Sequence, residues 1–251
     1  MATTPKRLAP VPDIPALQEA GRAGHAAATW YTLWAIKVAK DAGVKIGGWS
    51  GGGESMSERE DRQDITELIQ NWAFWRDTGE WDSLLAAFHP QGRMNATWYS
   101  GPAKEFVAGS RAGWERGGRS SHFIGGSRIA VRGAKAIAES RMVLMIRAVL
   151  EGEDVDVTCN GRFYDRLVKY EGAWRILERH CIYEKDRLDP VRPGARVTLD
   201  PALLGRFPEG YRHVAYVQTK RGTRVLDDMP VLRSPAREQL YRDAAAWLEA
   251  E

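Results

Sequence analysis

The chain has 251 residues, a formal net charge of +3, and ordinary shares of hydrophobic (43%) and charged (27%) residues. This length fits one large domain, or one domain of ordinary size with extensions. Its lysines and arginines are scattered among acids, which argues against a nucleic-acid-binding surface, because such a surface needs clustered cations. The sequence also lacks the run of about eighteen apolar residues that a membrane-spanning helix requires.

The two cysteines, Cys159 and Cys181, each lie inside a strand-like or apolar run. A disulfide framework or a cysteine-based metal site would need more thiols at short spacing. We therefore expect both to be reduced, part-buried packing residues of a cytoplasmic protein, although one of them could line a pocket. The five histidines do not form ligand spacing with carboxylates, so we expect no metal and no cofactor.

Residues 1–57 are predicted to be an N-terminal extension and linker. The segment is Pro-rich at its start, contains a stretch that could form a helix, and ends in a glycine run typical of flexible linkers. It lacks the arrangement of a secretory signal. Our hypothesis is that Met56 is the natural start and that the residues before it are not native, since GGGES could be translated from a ribosome-binding site.

The chain from Glu58 to Phe88 predicts two helices. Apolar residues recur at three- and four-residue steps, which is typical of an amphipathic helix; they are Ile65, Leu68, Ile69, Trp72 and either Phe74 or Trp75. Asp64 stands near the expected start, where a short acceptor is favourable. Thr78-Gly79 breaks the pattern, and a second short helix is expected from Trp81 to Phe88.

A strand (RMNATWYSG), a third helix after Gly101-Pro102 and four long β segments follow. The turns between the β segments are short, at Arg132-Gly133, at residues 151–153 and at Glu171-Gly172, so they predict an antiparallel meander. Gly125-Gly126 indicates a β-bulge and hence a curved sheet. The sequence thus predicts an α+β domain over residues 58–190, with three helices packed in the concave face of the sheet.

Residues 191–251 are predicted to be a C-terminal tail. Most of it is rich in helix and strand breakers, but Ser234-Pro235 has the residues of a capped helix start. We expect this terminal helix to pack over the domain or against a neighbouring subunit.

Three segments between residues 58 and 190 resemble the SnoaL-like, nuclear-transport-factor-2-like superfamily: RQDITELIQNWAFWRDTGEWDSLLAAFHP, SSHFIGGSRIAV and EGAWRILERHCIYEKDRLDP. The resemblance implies a cone-shaped, cystatin-like α+β barrel. It is strongest to the scytalone dehydratase and hexachlorocyclohexane dehydrochlorinase subset. Those enzymes use an aspartate at the end of the first helix and a histidine on the strand after the third. Asp77 and His122 match these two positions.

The resemblance implies that His122 is a base whose ring Asp77 orients. An imidazole is suited to removing a proton at neutral pH, and a neighbouring carboxylate fixes its tautomer and stabilises the imidazolium. The alternative is structural: Asp77 could end the first helix, and His122 could be a hydrogen-bonded residue at a strand start.

Further candidates for substrate contact are Trp72, Asn95, Trp98, Tyr99 and Arg175. Arg175 matches a cation that the dehydrochlorinase uses near its leaving group, although it could also be a solvent-facing strand residue. The tyrosines that polarise a carbonyl in the dehydratase have no clear counterpart here, since Trp98 is nearest to one of them. Because His180 and Tyr183 face opposite sides of one strand, at most one of them points inward.

The sequence therefore predicts a cofactor-independent lyase that eliminates water or a similar group from a hydrophobic ring compound. One alternative is an isomerase or cyclase that uses Asp77 directly as the base, and another is a ligand-binding or oligomer-forming module without chemistry. No nucleic acid or membrane partner is expected. A homodimer or homotrimer through the open face of the sheet is predicted.

Overall fold

The computed structural model describes residues 55–250, which lie within one compact unit, Ser55–Glu251. The helix and linker expected before Ser55 lie outside the described residues. The helices of the described part are α1 (Met56–Thr78), α2 (Trp81–Ala86), α3 (Ala103–Glu115), α4 (Pro201–Leu204), α5 (Arg212–Lys220) and α6 (Pro235–Glu249). The strands are β1 (Phe88–Ala96), β2 (Tyr99–Pro102), β3 (Arg119–Arg132), β4 (Lys135–Leu150), β5 (Glu153–Tyr170) and β6 (Ala173–Pro190).

Helix α1 begins at Met56, earlier than Asp64 led us to expect. Ser55 is the N-cap: its side chain accepts from the backbone N–H of Glu58, and the Glu58 carboxylate accepts from the N–H of Ser55. This reciprocal capping box satisfies two free amides of the first turn. Asp64 lies two turns inside the helix and caps nothing.

The predicted apolar stripe of α1 is confirmed. Ile65, Ile69 and Trp72 are buried, and Leu68 and Trp75 pack against the same core. Phe74 is 67% exposed, so Trp75 is the aromatic residue that belongs to the stripe.

The six strands form one open sheet with the order β2-β1-β6-β5-β4-β3. The predicted hairpins β3–β4, β4–β5 and β5–β6 are antiparallel, as expected, but β1 pairs with β6 in parallel. β1 also begins at Phe88, where the sequence predicted the end of a helix. The backbone N–H of Ile176 on β6 donates to the carbonyl of Ala87, so the chain leaves α2 already bound to the sheet.

Several register shifts accompany the curvature of the sheet, and two of them involve glycines. The register of β3 against β4 shifts between Ile124 and Ser127, which confirms the bulge predicted at Gly125-Gly126. Another shift lies between Asn160 and Gly161, where β5 pairs with β6. A Cβ on Gly161 would lie 2.4 Å from the carbonyl oxygen of Ile182, so the backbones meet at a distance that only glycine permits.

Helices α1 to α3 pack on one face of the sheet and enclose an aromatic core with it. The ring of Trp72 from α1 lies 6.2 Å from Phe106 of α3 and 5.1 Å from Phe163 of β5. These aromatic contacts join both helices to the centre of the sheet and position the end of α1 above β3.

Residues 191–250 belong to the domain, which corrects the interpretation of this segment as a tail. Tyr211, Val214 and Val217 are buried in the main core. Helix α6 begins at Pro235 with Ser234 as its N-cap, as predicted. Its buried residues, Leu240 and Ala244, pack with Tyr164 and Ile182. The residues next to these two on their strands line the cavity, and side chains alternate along a strand. Helix α6 therefore covers part of the opposite, outer face of the sheet.

No helix of the described part of the chain is both long and apolar enough to cross a membrane.

Candidate active site

A cavity of about 680 Å³ lies between the sheet and the helices. This volume is in the range of small-molecule sites. Much of its wall is apolar or aromatic, including Trp72, Trp98, Phe106, Leu144 and Phe163. Of the predicted substrate contacts, Trp72 and Trp98 therefore lie in the cavity wall.

His122 faces this cavity and is held from behind by Asp77. The Nδ1 atom of His122 lies 2.7 Å from Oδ1 of Asp77, and the backbone N–H of His122 donates to Oδ2 over 2.6 Å. The two side chains are only 10% and 18% exposed. A carboxylate oxygen can only accept, so Nδ1 carries the proton and Nε2 carries the lone pair when the ring is neutral. Nε2 has no hydrogen-bond partner among residues 55–250.

Local structure at the end of α1 brings the pair together. Asp77 is in the last turn of the helix, which Gly79 ends in the left-handed conformation with φ of 83°. Glycine adopts this conformation without strain, so the chain can leave the helix just after Asp77. Because α1 packs along β3, this end of the helix meets His122 near the start of that strand.

The surroundings of His122 favour its neutral form. Burial lowers the pKa of His122 from its ordinary value of 6.5, and the positive charges of Arg76 and Arg179 lower it further, whereas the hydrogen bond and charge of Asp77 oppose this. The net direction is downward. His122 is therefore an uncharged imidazole at neutral pH, which is the form that can accept a proton.

A fully buried ion pair lies beneath the same aromatic wall. Arg179 donates from Nε and one terminal nitrogen to the two carboxylate oxygens of Asp165, at 2.7 Å each, and both side chains are 0% exposed. The Arg179 guanidinium carbon lies 4.4 Å from the ring centre of Trp72 and 4.1 Å from that of Phe163. Both rings also contact His122, so this cation supports the aromatic residues that surround it.

A second histidine–aspartate pair has similar geometry but does not face the cavity. His213 Nδ1 lies 2.7 Å from Oδ1 of Asp186, whose Oδ2 accepts from the backbone N–H groups of His213 and Val214. These amides belong to the first turn of α5, so Asp186 caps that helix. His213 does not line the cavity, and the pair therefore has a structural explanation.

Comparison with known proteins agrees with this architecture. Residues 57–180 match the model of the SnoaL-like domain. The chain is 33% identical over 203 residues to pea pathogenicity protein 2 of Fusarium vanettenii, covering 76% of this chain and 87% of the relative. The chain belongs to the SnoaL-like family.

The chain is also similar to other proteins. An uncharacterized protein of Emericella nidulans is 32% identical to the SnoaL-like chain over 208 residues, covering 76% of this chain and 87% of the relative. A solved structure of a putative scytalone dehydratase from Novosphingobium aromaticivorans is 16% identical, covers 57% of this chain and 98% of its own, and has a TM-score of 0.47.

Asn95, predicted as a substrate contact, lies away from the cavity of the SnoaL-like chain. Its neighbours Met94 and Ala96 line the cavity, and side chains alternate along a strand, so Asn95 faces the other side. Its amide nitrogen is 3.3 Å from both the carbonyl oxygen of Arg179 and the ring of His180, and its oxygen accepts from Ser100. Asn95 is thus committed to linking strands.

Tyr99 and Arg175 are likewise absent from the cavity wall. The Tyr99 hydroxyl donates to the carbonyl of Pro102 and lies 3.0 Å from a carboxylate oxygen of Glu105, so it fastens β2 to the start of α3. Arg175 follows Trp174, which points toward α1 and donates to Asp61. Alternation along β6 turns Arg175 outward, and the leaving-group role expected for it has no support.

Several cavity residues of the SnoaL-like chain were not predicted from the sequence. Ser110 of α3 and Gln218 of α5 line the cavity, and their side-chain oxygens are buried without a hydrogen-bond partner among residues 55–250. The indole N–H of Trp72 is in the same state. Of the pair His180 and Tyr183, it is Tyr183 that lines the cavity. Buried polar atoms normally have partners, so these unpaired groups are exceptions to that rule in the packing next to the cavity.

The described part of the chain contains no group of three or more histidine, cysteine or acidic side chains arranged to hold a metal ion.

Proposed function

We propose that the protein is a cofactor-independent lyase of the dehydratase type, acting on a hydrophobic ring compound with His122 as the base. The observation that carries this proposal is the buried Asp77–His122 contact at the cavity wall, which leaves Nε2 of a neutral imidazole free. An aromatic cavity of this size suits a substrate with one or two rings.

The reaction would proceed by proton transfer within the cavity. Nε2 of His122 takes a proton from a carbon next to a carbonyl group, and the electron pair forms the new double bond as the C–O bond breaks. The leaving hydroxide takes the proton back from the imidazolium and departs as water, so the enzyme returns to its starting state. Asp77 stabilises the transient imidazolium.

The isomerase or cyclase alternative, with Asp77 as the base, has less support. Both carboxylate oxygens of Asp77 already accept hydrogen bonds from His122, and Asp77 does not line the cavity. A base must reach the proton that it abstracts. Asp77 is better placed to orient His122 than to contact a substrate.

The proposal is tested by following water loss from a panel of ring β-hydroxy ketones, among them a hydroxytetralone whose dehydration gives a fluorescent naphthol. We expect His122→Gln to lower turnover by at least about 100-fold, as for removal of a general base. The matched control is His213→Gln, which alters the other histidine–aspartate pair and should retain turnover. Equal turnover by His122→Gln and the unmodified protein would overturn the proposal. Binding of the panel without turnover would favour the binding module.

A further inference from the structure

The cavity wall is strongly basic at its mouth. Four arginines line the cavity, namely Arg76, Arg116, Arg119 and Arg221, and no aspartate or glutamate of residues 55–250 lines it. The last three are exposed to solvent, whereas Arg76 is partly buried beside Asp77. The formal charge of the whole chain is only +3, so this is a local concentration of charge that composition does not reveal.

A tight connection between α3 and β3 holds two of these arginines together. Gly117 has φ of 83°, and the N–H of Gly118 donates to the carbonyl of Gly113 over 3.0 Å. A Cβ on Gly118 would lie 2.7 Å from that carbonyl oxygen. This glycine turn reverses the chain within two residues, so Arg116 and Arg119 both lie at the same rim of the cavity.

Arg221 reaches this rim from the other end of the sequence. It ends α5, the helix that contributes Val217 and Gln218 to the cavity, and its guanidinium donates to the carbonyl of Arg147 over 3.2 Å. Arg147 is the register partner of Arg119 across the β3–β4 hairpin. Arg119 and Arg221 therefore lie close together, although the family match ends at residue 180.

The three rim arginines make no ion pair with the described acids. By contrast, the neighbouring Arg147 binds both carboxylate oxygens of Asp156, at 2.5 and 2.8 Å. Unpaired cations of one sign around a low-polarity cavity focus a positive potential on its opening. Guanidinium groups also bind carboxylate-type anions with directed hydrogen bonds.

We propose that the cavity selects an anionic ring compound, in which the rings occupy the apolar interior and a carboxylate or similar anion is bound by Arg116, Arg119 and Arg221. This substrate class rests on the proposed function for the site, but it makes a separate claim about binding. The acid group would orient the ring system so that its reacting carbon enters first, toward His122.

A matched pair of fluorescent probes tests the claim without turnover. Anilinonaphthalenesulfonate and N-phenylnaphthylamine share their rings, and only the former carries an anion. We expect the protein to bind the anionic probe at least about threefold more tightly, and each of Arg116→Gln, Arg119→Gln and Arg221→Gln to weaken its binding about threefold, as for single partly exposed charges. The triple variant should lose about tenfold or more, while binding of the neutral probe stays within twofold.

Arg242→Gln is the matched control. It removes the same charge from an exposed position on α6, outside the cavity, and should change neither probe. Gly113→Leu adds a side chain to open space in the cavity wall and should weaken both probes.

Equal affinity for the two probes, equal weakening of both by the triple variant, or an effect of Arg242→Gln as large as that of Arg116→Gln would overturn the proposal. Failure of both probes to bind would overturn it too. None of these outcomes depends on His122, so the anion claim and the lyase claim fail separately.

Discussion

Asp77 holds His122 through both of its carboxylate oxygens, one on the imidazole Nδ1 and the other on the backbone N–H of the same residue. The second hydrogen bond holds the carboxylate against the backbone of β3, so the same carboxylate binds both the imidazole ring and the strand that carries it. Rotation of the imidazole away from the cavity would break the first bond while the second keeps Asp77 in place. The arrangement therefore selects one tautomer and one ring orientation together.

Replacing Asp77 with asparagine should lower both the pKa of His122 and the rate. The negative charge and hydrogen bond of Asp77 raise that pKa against the effect of burial, so their loss lets it fall further. An asparagine can also present its N–H₂ to the ring and favour the wrong tautomer, so turnover should fall about 100-fold or more. NMR titration of the His122 ring measures the first effect. The rings of His89, His180 and His213 do not contact Asp77 and serve as internal controls. An unchanged His122 titration would contradict the electrostatic coupling.

The pH dependence of kcat/KM should show an acid limb below pH 6.5. Protonated His122 cannot act as a base, and its pKa lies below its ordinary value of 6.5, so activity is constant at neutral pH and falls as acid titrates the ring. Arg76 lowers this pKa by its positive charge. Arg76→Gln should therefore move the acid limb to higher pH, opposite to Asp77→Asn. A shift of both variants in the same direction would show that the limb does not report His122.

Breaking the buried Asp165–Arg179 pair should strongly destabilise the domain. Either Asp165→Asn or Arg179→Met leaves a polar or charged partner uncompensated at a site that is 0% exposed, and we expect a loss of about 3–5 kcal/mol in the free energy of unfolding. The double variant Asp165→Asn/Arg179→Met should lose less than the sum of the two. Urea denaturation measures all three. The control is Asp189→Asn, which breaks an exposed ion pair with Arg187 and should change the free energy of unfolding by less than about 1 kcal/mol. If this variant lost as much stability as those at Asp165 and Arg179, burial of the ion pair would not explain the effect.

Gly161→Ala should be destabilising although it adds only a methyl group. The new Cβ would lie 2.4 Å from the backbone oxygen of Ile182, so β5 and β6 must separate, and we expect a loss of about 1–3 kcal/mol. Gly126→Ala is the matched control, since it lies in the same sheet with no atom within 4 Å of its added Cβ. Thermal unfolding of both variants measures this difference. Equal losses would show that the close approach of Ile182 to Gly161 does not restrict the side chain at that position.

Much of the domain was predictable because its signals are local. The stripe of Ile65, Ile69 and Trp72, the glycine turns between the long strands and the bulge at Gly125-Gly126 each depend on a few neighbouring residues. The parallel pairing of β1 with β6 was not predictable in this way, because it joins strands that are far apart in the sequence and leaves no local pattern. The burial of Tyr211 and Val214 escaped prediction because the breakers around them indicate a tail.

The sequence by itself determined the SnoaL-like architecture and the pairing of Asp77 with His122, since the resemblance carries both the helix end and the strand start that bring them together. Only the tertiary structure decided which other side chains share their cavity. Strand alternation turned Asn95 and Arg175 outward, and the return of α5 over the sheet added Gln218 and Arg221. Nearby residues do not specify which side chains of a bulged strand face the cavity. They also do not specify where a later helix such as α5 packs on the sheet. Both follow from which surfaces bury one another when the chain closes on itself.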